Sequence, residues 1–353
     1  MPDPRVPEIR FGERVISREA PCYIIAEIGV NHNGELALAK ELIAAAVEAG
    51  ADAVKFQTFR LASLVLPGAA KAEYQERQTG SGSQAEMLAA LELSNEDFRQ
   101  LREECDRLGV DFLSTAFDSD SLRDVVALEP KALKWPSGEI DNVPLLRQAA
   151  KTGLPIILST GMADLVEIEA ALSVLDASSS GPVAILQCVS QYPAPMAEQN
   201  LAAIPAMARQ FGRVTGFSDH TDTLWAAIAA RALGMAILEK HLTLDRGMAG
   251  PDHKASIEPD AFAEMVAAIR AVETSLGDGI KRPMPSELST RAVARKSLVY
   301  TCSLEAGTVL EASHLTALRP GDGLSPANID AMLGRPLNRA VALHDQAALA
   351  DVD

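Results

Sequence analysis

The chain has 353 residues, 48% hydrophobic and 23% charged, too apolar for a disordered protein and too interrupted by charge for a membrane-embedded one. Its 48 Asp and Glu outweigh 32 Lys and Arg, for a net charge of −16 without any cationic run, which argues against nucleic acid and anionic membrane surfaces as partners. The opening Met-Pro-Asp-Pro-Arg-Val-Pro-Glu has neither the basic start nor the apolar stretch of a signal peptide, so the expected location is the cytoplasm.

Eight short apolar runs follow in chain order, at 23–30, 53–59, 111–117, 132–137, 155–160, 183–189, 214–220 and 236–243. Helical patterns separate them, and Gly50, Gly109, Gly153, Gly212 and Gly234 each close such a pattern just before a run. That is a glycine C-cap leading into a buried parallel strand. The clearest helix is 94–108, where Ser94 and Asp97 form a capping-box signature and Phe98, Leu101 and Leu108 recur at helical spacing; the last helix is 260–276. Eight strand–helix units over this length predict an α/β fold, a (β/α)8 TIM barrel, with an open doubly wound sheet as the alternative. Residues 60–93, rich in Gly, Ser and Gln, form the one long connection and are expected to be a βα loop over the site. The domain division expected is a barrel over 1–280, a linker over 281–290 and a small β-rich domain over 291–353, with short β pieces at 297–301 and 337–343.

Strand alternation places residues of equal parity on one face. Glu27, Gly29 and Asn31 share a face, as do Lys55, Gln57 and Phe59; Thr115 goes with Phe117, Ser159 with Gly161, Ser190 with Tyr192, Ser218 with His220, and Glu239 with His241. These polar residues gather at the C-terminal ends of their runs, where barrel enzymes place their chemistry. Lys55 and Lys134 are either ion-pair partners inside the barrel or an anion site. Burial of an unpaired ammonium is costly, and the neighbouring Ser137, Gly138, Ser159 and Gly161 suit phosphate or carboxylate, which favours the anion site. His220 and His241 end consecutive strands and converge as candidate ligands for a divalent metal, with Glu239 and Asp252 as possible support. Glu27 either neutralises Lys55 or positions a hydroxyl and manages a proton. His32 serves a turn or touches substrate. Cys22, Cys105, Cys188 and Cys302 lack metal or disulfide spacing and read as buried thiols.

Taken together the segments resemble the sialic acid synthase family, through Ala-Glu-Ile-Gly-Val-Asn-His-Asn-Gly (26–34), Val-Lys-Phe-Gln-Thr (54–58), Phe-Leu-Ser-Thr-Ala-Phe (112–117), Pro-Ser-Gly-Glu (136–139) and Leu-Ser-Thr-Gly-Met (158–162). Gln-Tyr-Pro-Ala-Pro (191–195), Gly-Phe-Ser-Asp-His-Thr (216–221), Leu-Glu-Lys-His-Leu-Thr (238–243) and Gly-Pro-Asp-His-Lys (250–254) continue the series. The resemblance implies a barrel followed by an antifreeze-like (SAF) domain. The implied reaction condenses phosphoenolpyruvate (PEP) with an N-acyl hexosamine into a nine-carbon α-keto acid. The implied metal is Mn²⁺ or Mg²⁺ on His220 and His241. Lys55, Lys134, Ser137, Ser159 and Ser218 would hold PEP with Gln57 and Thr115 nearby; Glu27, Ser190, Tyr192 and Asp252 would address the sugar, and Glu139 belongs to the same substrate-binding set. The resemblance further implies a domain-swapped homodimer in which Arg319, within Leu-Arg-Pro-Gly-Asp-Gly (318–323), enters the partner's site and meets the N-acyl group. The strings around Trp135 and Asp252 favour the legionaminic acid branch over the N-acetylneuraminate branch, with the pseudaminic acid branch third. A PEP-using synthase of seven- or eight-carbon keto acids and a non-catalytic sugar-binding barrel are the rival readings.

Overall fold

The computed structural model describes residues 7–66 and 68–353. The chain divides into two compact units, the first ending at Gly277 and the second spanning Asp278–Asp353.

In the first unit, β1 (Tyr23–Gly29), β2 (Ala53–Thr58), β3 (Asp111–Ala116), β4 (Leu133–Trp135), β5 (Ile156–Ser159), β6 (Val183–Cys188), β7 (Val214–Asp219) and β8 (Ile237–His241) pair in parallel. The sheet closes where β8 meets β1, with His241 opposite Glu27. The (β/α)8 expectation is met. The strands alternate with α1 (Leu36–Glu48), α2 (Asn95–Leu108), α3 (Ser119–Ala127), α4 (Val143–Ala150), α5 (Leu165–Ala177), α6 (Ala203–Phe211), α7 (Trp225–Ala232) and α8 (Pro259–Leu276).

Local chemistry sets these boundaries. Ser94 caps α2 by accepting from the Asp97 N–H, and Asp97 returns a bond to the Ser94 N–H. Phe98, Leu101 and Cys105 then fall on one buried face, and left-handed Gly109 ends the helix two residues before β3. Each large apolar side chain buried there contributes about 1.5–3 kcal/mol. Outward-facing strand residues such as Ile24, Val54, Phe56 and Phe112 meet these helices in one continuous core.

Inside the barrel, the N-terminal half is filled by Tyr23, Ile25, Ala53, Leu113, Ile157, Ala184, Leu186, Val214 and Ile237. A hairpin that the sequence reading did not anticipate, Ile9–Phe11 paired with Arg14–Ile16, adds Ile9, Phe11 and Ile16 to this cluster. Phe11 meets the Tyr23 ring edge-on at 5.1 Å, and the Tyr23 hydroxyl donates to Asp111 at 2.9 Å.

The segment 60–93 contains three short helices, Leu61–Leu64, Glu73–Thr79 and Gln84–Ala89. A small apolar cluster anchors it, formed by Phe59 and Leu91 with Val30 and flanked by Leu64, Leu88 and Phe117.

In the second unit Ser297–Tyr300 pairs antiparallel with Leu315–Leu318. Leu298, Tyr300, Leu310, Met332, Leu337, Val341 and Val352 form its core. The expected β piece at 337–343 is reduced to isolated bridges from Leu337 to Val352 and from Val341 to Leu304. The helix Leu288–Ala294, none of whose residues is buried, occupies part of the expected linker. No helix among the described residues is long and apolar enough to cross a membrane.

Candidate active site

The inward parity that supplies the apolar filling of the N-terminal half continues into polar chemistry at the strands' C-terminal ends. Tyr23 and Ile25 give way to Glu27, Ala53 to Lys55 and Gln57, Leu113 to Thr115, Ile157 to Ser159, and Ile237 to Glu239 and His241. Above this layer opens a cavity of about 450 Å³, whose walls also take Gln75, Gln84, Met87, Leu88 and Leu91 from the 60–93 segment, as expected of a loop over the site.

Four buried charges make the floor. The Lys55 ammonium lies 2.8 Å from Glu27 and 3.7 Å from Glu239, and Lys134 lies 3.5 Å from Glu239. Hydroxyls and an amide complete the set. Lys55 donates to Thr115 Oγ1 at 3.0 Å, Lys134 to Ser159 Oγ at 2.8 Å, Ser218 to Glu239 Oε1 at 2.7 Å, and Gln57 to Glu27 Oε1 at 3.1 Å. Both alternatives for the lysines therefore meet in one arrangement, since the ammoniums are paired with carboxylates and still line the cavity.

The electrostatics divide the two carboxylates. Burial drives both upward, but Lys134 and Lys55 hold Glu239 down to about 2. Glu27, with Lys55 as its one close cation and Glu239 opposing, is left raised to about 7. Burial also lowers the Lys134 ammonium, while the two glutamates raise Lys55 despite its burial. Glu239 is thus a fixed negative charge, and Glu27 is poised to exchange a proton near neutrality.

A cradle of small groups flanks Lys134. Ser137 Oγ accepts the Gly161 N–H at 2.8 Å and lies 3.7 Å from the Cys188 sulfur. A Cβ at position 161 would sit 2.2 Å from Ser190 Oγ, so only glycine permits this approach.

His220 and His241 converge, with ring centroids 5.4 Å apart. His220 Nδ1 lies 2.8 Å from the Val189 carbonyl; a carbonyl only accepts, so Nδ1 carries the proton and Nε2 presents its lone pair. His241 Nδ1 is buried without a hydrogen-bond partner, and burial keeps this imidazole neutral. Tyr192 packs its ring 4.2 Å from His220 and 5.6 Å from His241. Two imidazoles, one with an orphaned buried nitrogen, are a donor set that fits a divalent ion. Among the described residues no group of three or more His, Cys, Asp or Glu is placed to hold a metal, so substrate and water would have to complete such a shell. Asp252 lines the cavity from the loop after β8, and burial pushes its carboxyl up to about 6.

Other sequence candidates have partners of their own or stand outside the cavity. Glu239 is held by the lysines and Ser218 and meets His220 only through Ser218, whose Oγ lies 3.5 Å from His220 Nε2. Glu139 stays outside the lining, because a short 3-10 turn, Ser137–Glu139, carries it away, and its carboxylate accepts from Asn142 at 2.6 Å. Asn31 leaves the face of Glu27 because the strand bulges between Glu27 and Gly29, where Gly29 takes φ +56°; its amide instead ties Leu242 and Ser256. His32 has a turn role, accepting the Gly34 N–H at 3.0 Å. Cys302 is exposed, unlike the other three thiols. Arg319 is exposed on the second unit. Asp219, which is not among the sequence candidates, forms a buried ion pair with Lys240 at 2.8 Å. Outward strand parity combined with opposite charges on neighbouring strands was the signal that could have found it.

Comparison with known proteins adds the following. Residues 42–281 match the NeuB family and residues 295–352 the SAF domain. The N,N'-diacetyllegionaminic acid synthase of Legionella pneumophila is 45% identical over 90% of this chain and 90% of its own. The protein of the same name from Campylobacter jejuni is 42% identical over 88% of this chain and 94% of its own. The crystal structure of N-acetylneuraminic acid (sialic acid) synthetase from Leptospira borgpetersenii, in complex with citrate, is 34% identical and superposes with a TM-score of 0.71 over 81% of this chain and 95% of that one.

Proposed function

We propose, from the premise that the chain belongs to the NeuB family, that it is a carbon–carbon bond-forming transferase making N,N'-diacetyllegionaminic acid and phosphate from PEP and a 2,4-diacetamido-trideoxy-mannose. The observation that carries the reading is the pair of buried lysines among serine hydroxyls on the cavity floor. The choice of sugar follows the Legionella and Campylobacter relatives, and N-acetylmannosamine is the second substrate to test.

In this reading Lys55 and Lys134 meet the phosphate and carboxylate of PEP, with Ser137 and Ser159 supplying hydroxyl donors and Ser218, whose own hydroxyl is held by Glu239, lining the same pocket. Gln57 and Thr115 hold Glu27 and Lys55 in place. PEP C3 bonds to the aldehyde carbon of the open-chain sugar, and the aldehyde oxygen takes up a proton. Water adds at the former C2, and phosphate leaves with the C–O bond, giving the keto acid. The lysines stabilise the anionic groups throughout, as preorganised charge in a water-poor site. Glu27, Ser190, Tyr192 and Asp252 face the sugar, and the carboxyls of Glu27 and Asp252, raised toward neutrality, exchange protons with its hydroxyls. A divalent ion such as Mn²⁺ or Mg²⁺, held by His220 and His241, would supply Lewis acidity toward the sugar's carbonyl oxygen.

The working form in this proposal is a homodimer in the cytoplasm, where PEP is made, with Arg319 of one subunit reaching the sugar in the partner's barrel. The exposed Met162, Val166 and Trp225 near the strands' C-terminal ends are suited to being covered in such an assembly. Arg319→Ala then raises the KM for sugar and leaves that for PEP unchanged. Mixed dimers of Arg319→Ala with His241→Ala recover part of the activity that each homodimer lacks. An unchanged sugar KM and no recovery on mixing would remove the intersubunit role.

The test is phosphate release from PEP with Mn²⁺, with and without chelator. It is run across N-acetylmannosamine, the 2,4-diacetamido-trideoxy hexoses and phosphorylated aldoses. Chelator-sensitive release with the diacetamido manno sugar is the expected result. Release only with N-acetylmannosamine would move the chain to the N-acetylneuraminate branch, and no release from folded protein that binds PEP would favour a regulatory barrel.

A further inference from the structure

The two histidines each sit beside a charged residue that faces away from the cavity. On β8, Glu239 and His241 point inward and Lys240, between them, points outward. On β7, Asp219 points outward directly before His220, and Lys240 is the register partner of Asp219. Both side chains are buried to about 1% exposure, and the ammonium lies 2.8 Å from Asp219 Oδ2.

The remaining bonds of this pair run to the backbone that carries His220. Lys240 Nζ donates to the Thr221 carbonyl at 2.8 Å, and Asp219 Oδ1 accepts the Thr221 N–H at 2.8 Å. Thr221 Oγ1 in turn donates to the Thr223 carbonyl at 3.1 Å. His220 is therefore the residue between two fixed points, its peptide neighbours being held by one carboxylate and one ammonium. The same ammonium belongs to the residue immediately before His241. A single buried ion pair thus ties the ends of the two strands that carry the two imidazoles. It is separate from the four-charge floor, which faces the cavity from the inside of the barrel.

We infer that Lys240 and Asp219 are positioning residues that set the mutual orientation of His220 and His241, and through it the affinity of the pair for a divalent cation. The inference rests on the metal reading of the site. Removing an outer partner of a metal-bound histidine weakens metal affinity by about 10–100-fold, and here one bond network serves both ligands.

The experiment separates orientation from folding. Lys240→Met alone leaves a buried carboxylate without its partner and is expected to unfold at lower temperature. The double variant Lys240→Met, Asp219→Leu removes both charges and is expected to recover most of the lost unfolding temperature. Mn²⁺ binding is then followed by electron paramagnetic resonance on the whole protein, and the His220 tautomer by ¹⁵N resonance without metal. The double variant should bind Mn²⁺ at least about tenfold more weakly, show a mixed His220 tautomer in place of a single Nδ1–H form, and regain kcat at saturating Mn²⁺. Lys240→Arg, which keeps the charge, should restore part of the affinity. A double variant that is stable, binds Mn²⁺ like the parent and keeps one tautomer would overturn the inference and leave the pair a stabilising contact. A parent protein that binds no Mn²⁺ would instead defeat the metal reading, while the tautomer measurement still decides whether the brace orients His220.

Discussion

The two ends of the barrel interior are built from the same strands with the same inward parity and are chemically opposite. At the N-terminal end Tyr23, Ile25, Leu113, Ile157 and Ile237 close on a hairpin that adds Phe11 and Ile16, and the space is filled. At the C-terminal end the next inward positions are Glu27, Lys55, Thr115, Ser159 and Glu239, around an open cavity. One end supplies stability by burying apolar area. The other bears the cost of four buried charges, offset by mutual pairing and hydroxyl donors. Two or four residues along one strand therefore separate a position that holds the fold from one suited to reaction.

The largest effects should come from attacking the polar end. His220→Ala or His241→Ala is expected to abolish turnover with little change in unfolding temperature, and full activity in either would empty the proposed metal site. Lys134→Met should lower phosphate release by about 100-fold or more. Phe11→Ala, at the other end, should cost about 3–5 kcal/mol of stability and leave kcat unchanged wherever the protein is folded. A loss of kcat in folded Phe11→Ala would mean that the two ends are not separable. Gly161→Ala forces a Cβ against Ser190 Oγ and should cut kcat/KM roughly tenfold, about 1.4 kcal/mol in the barrier; unaltered kinetics would show that the cradle can yield.

A last effect, on stability over a narrow pH window, carries an instructive sign. The folded state holds the Asp252 carboxyl up to about 6 against 3.8 for the free group. The protonated acid therefore favours folding below about pH 4, and that contribution is lost as pH rises through 6. Asp252→Asn stays neutral throughout, so it should match the parent below pH 4 and exceed it in stability above pH 6, by up to about 3 kcal/mol, while sugar turnover falls. A parent stability flat across that window would show that Asp252 ionises freely.

Much of this division was legible in the residues. The apolar runs lie within one or two residues of the strands, because a strand buried on both faces must be nearly continuous in apolar character. The capping box at Ser94 and Asp97 placed α2 to the residue. Parity identified Glu27, Lys55, Ser159, Ser218, Glu239 and both histidines as facing one space. Legibility failed where geometry departs from period two. The bulge at Gly29 turned Asn31 out of the site. It failed also where structure rests on partners distant in sequence. The three-residue strands of the hairpin have too little pattern to stand out, and the role of Asp219 becomes visible only when β7 and β8 are neighbours.

The pairing of Glu27 with Lys55 has a consequence for how substrate enters. Two lysines and two glutamates leave the floor close to electroneutral, with the Glu27 carboxyl raised to about 7 by its burial. PEP brings negative charge to both lysines, and a nearby anion raises a carboxyl's affinity for protons. Glu27 should then capture a proton as PEP docks, so that binding and protonation are thermodynamically linked. Calorimetry in buffers of different ionisation enthalpy would read this as a heat that changes with the buffer, corresponding to uptake of up to about one proton per site. Above neutrality, PEP affinity would decline with pH as Glu27 ionises.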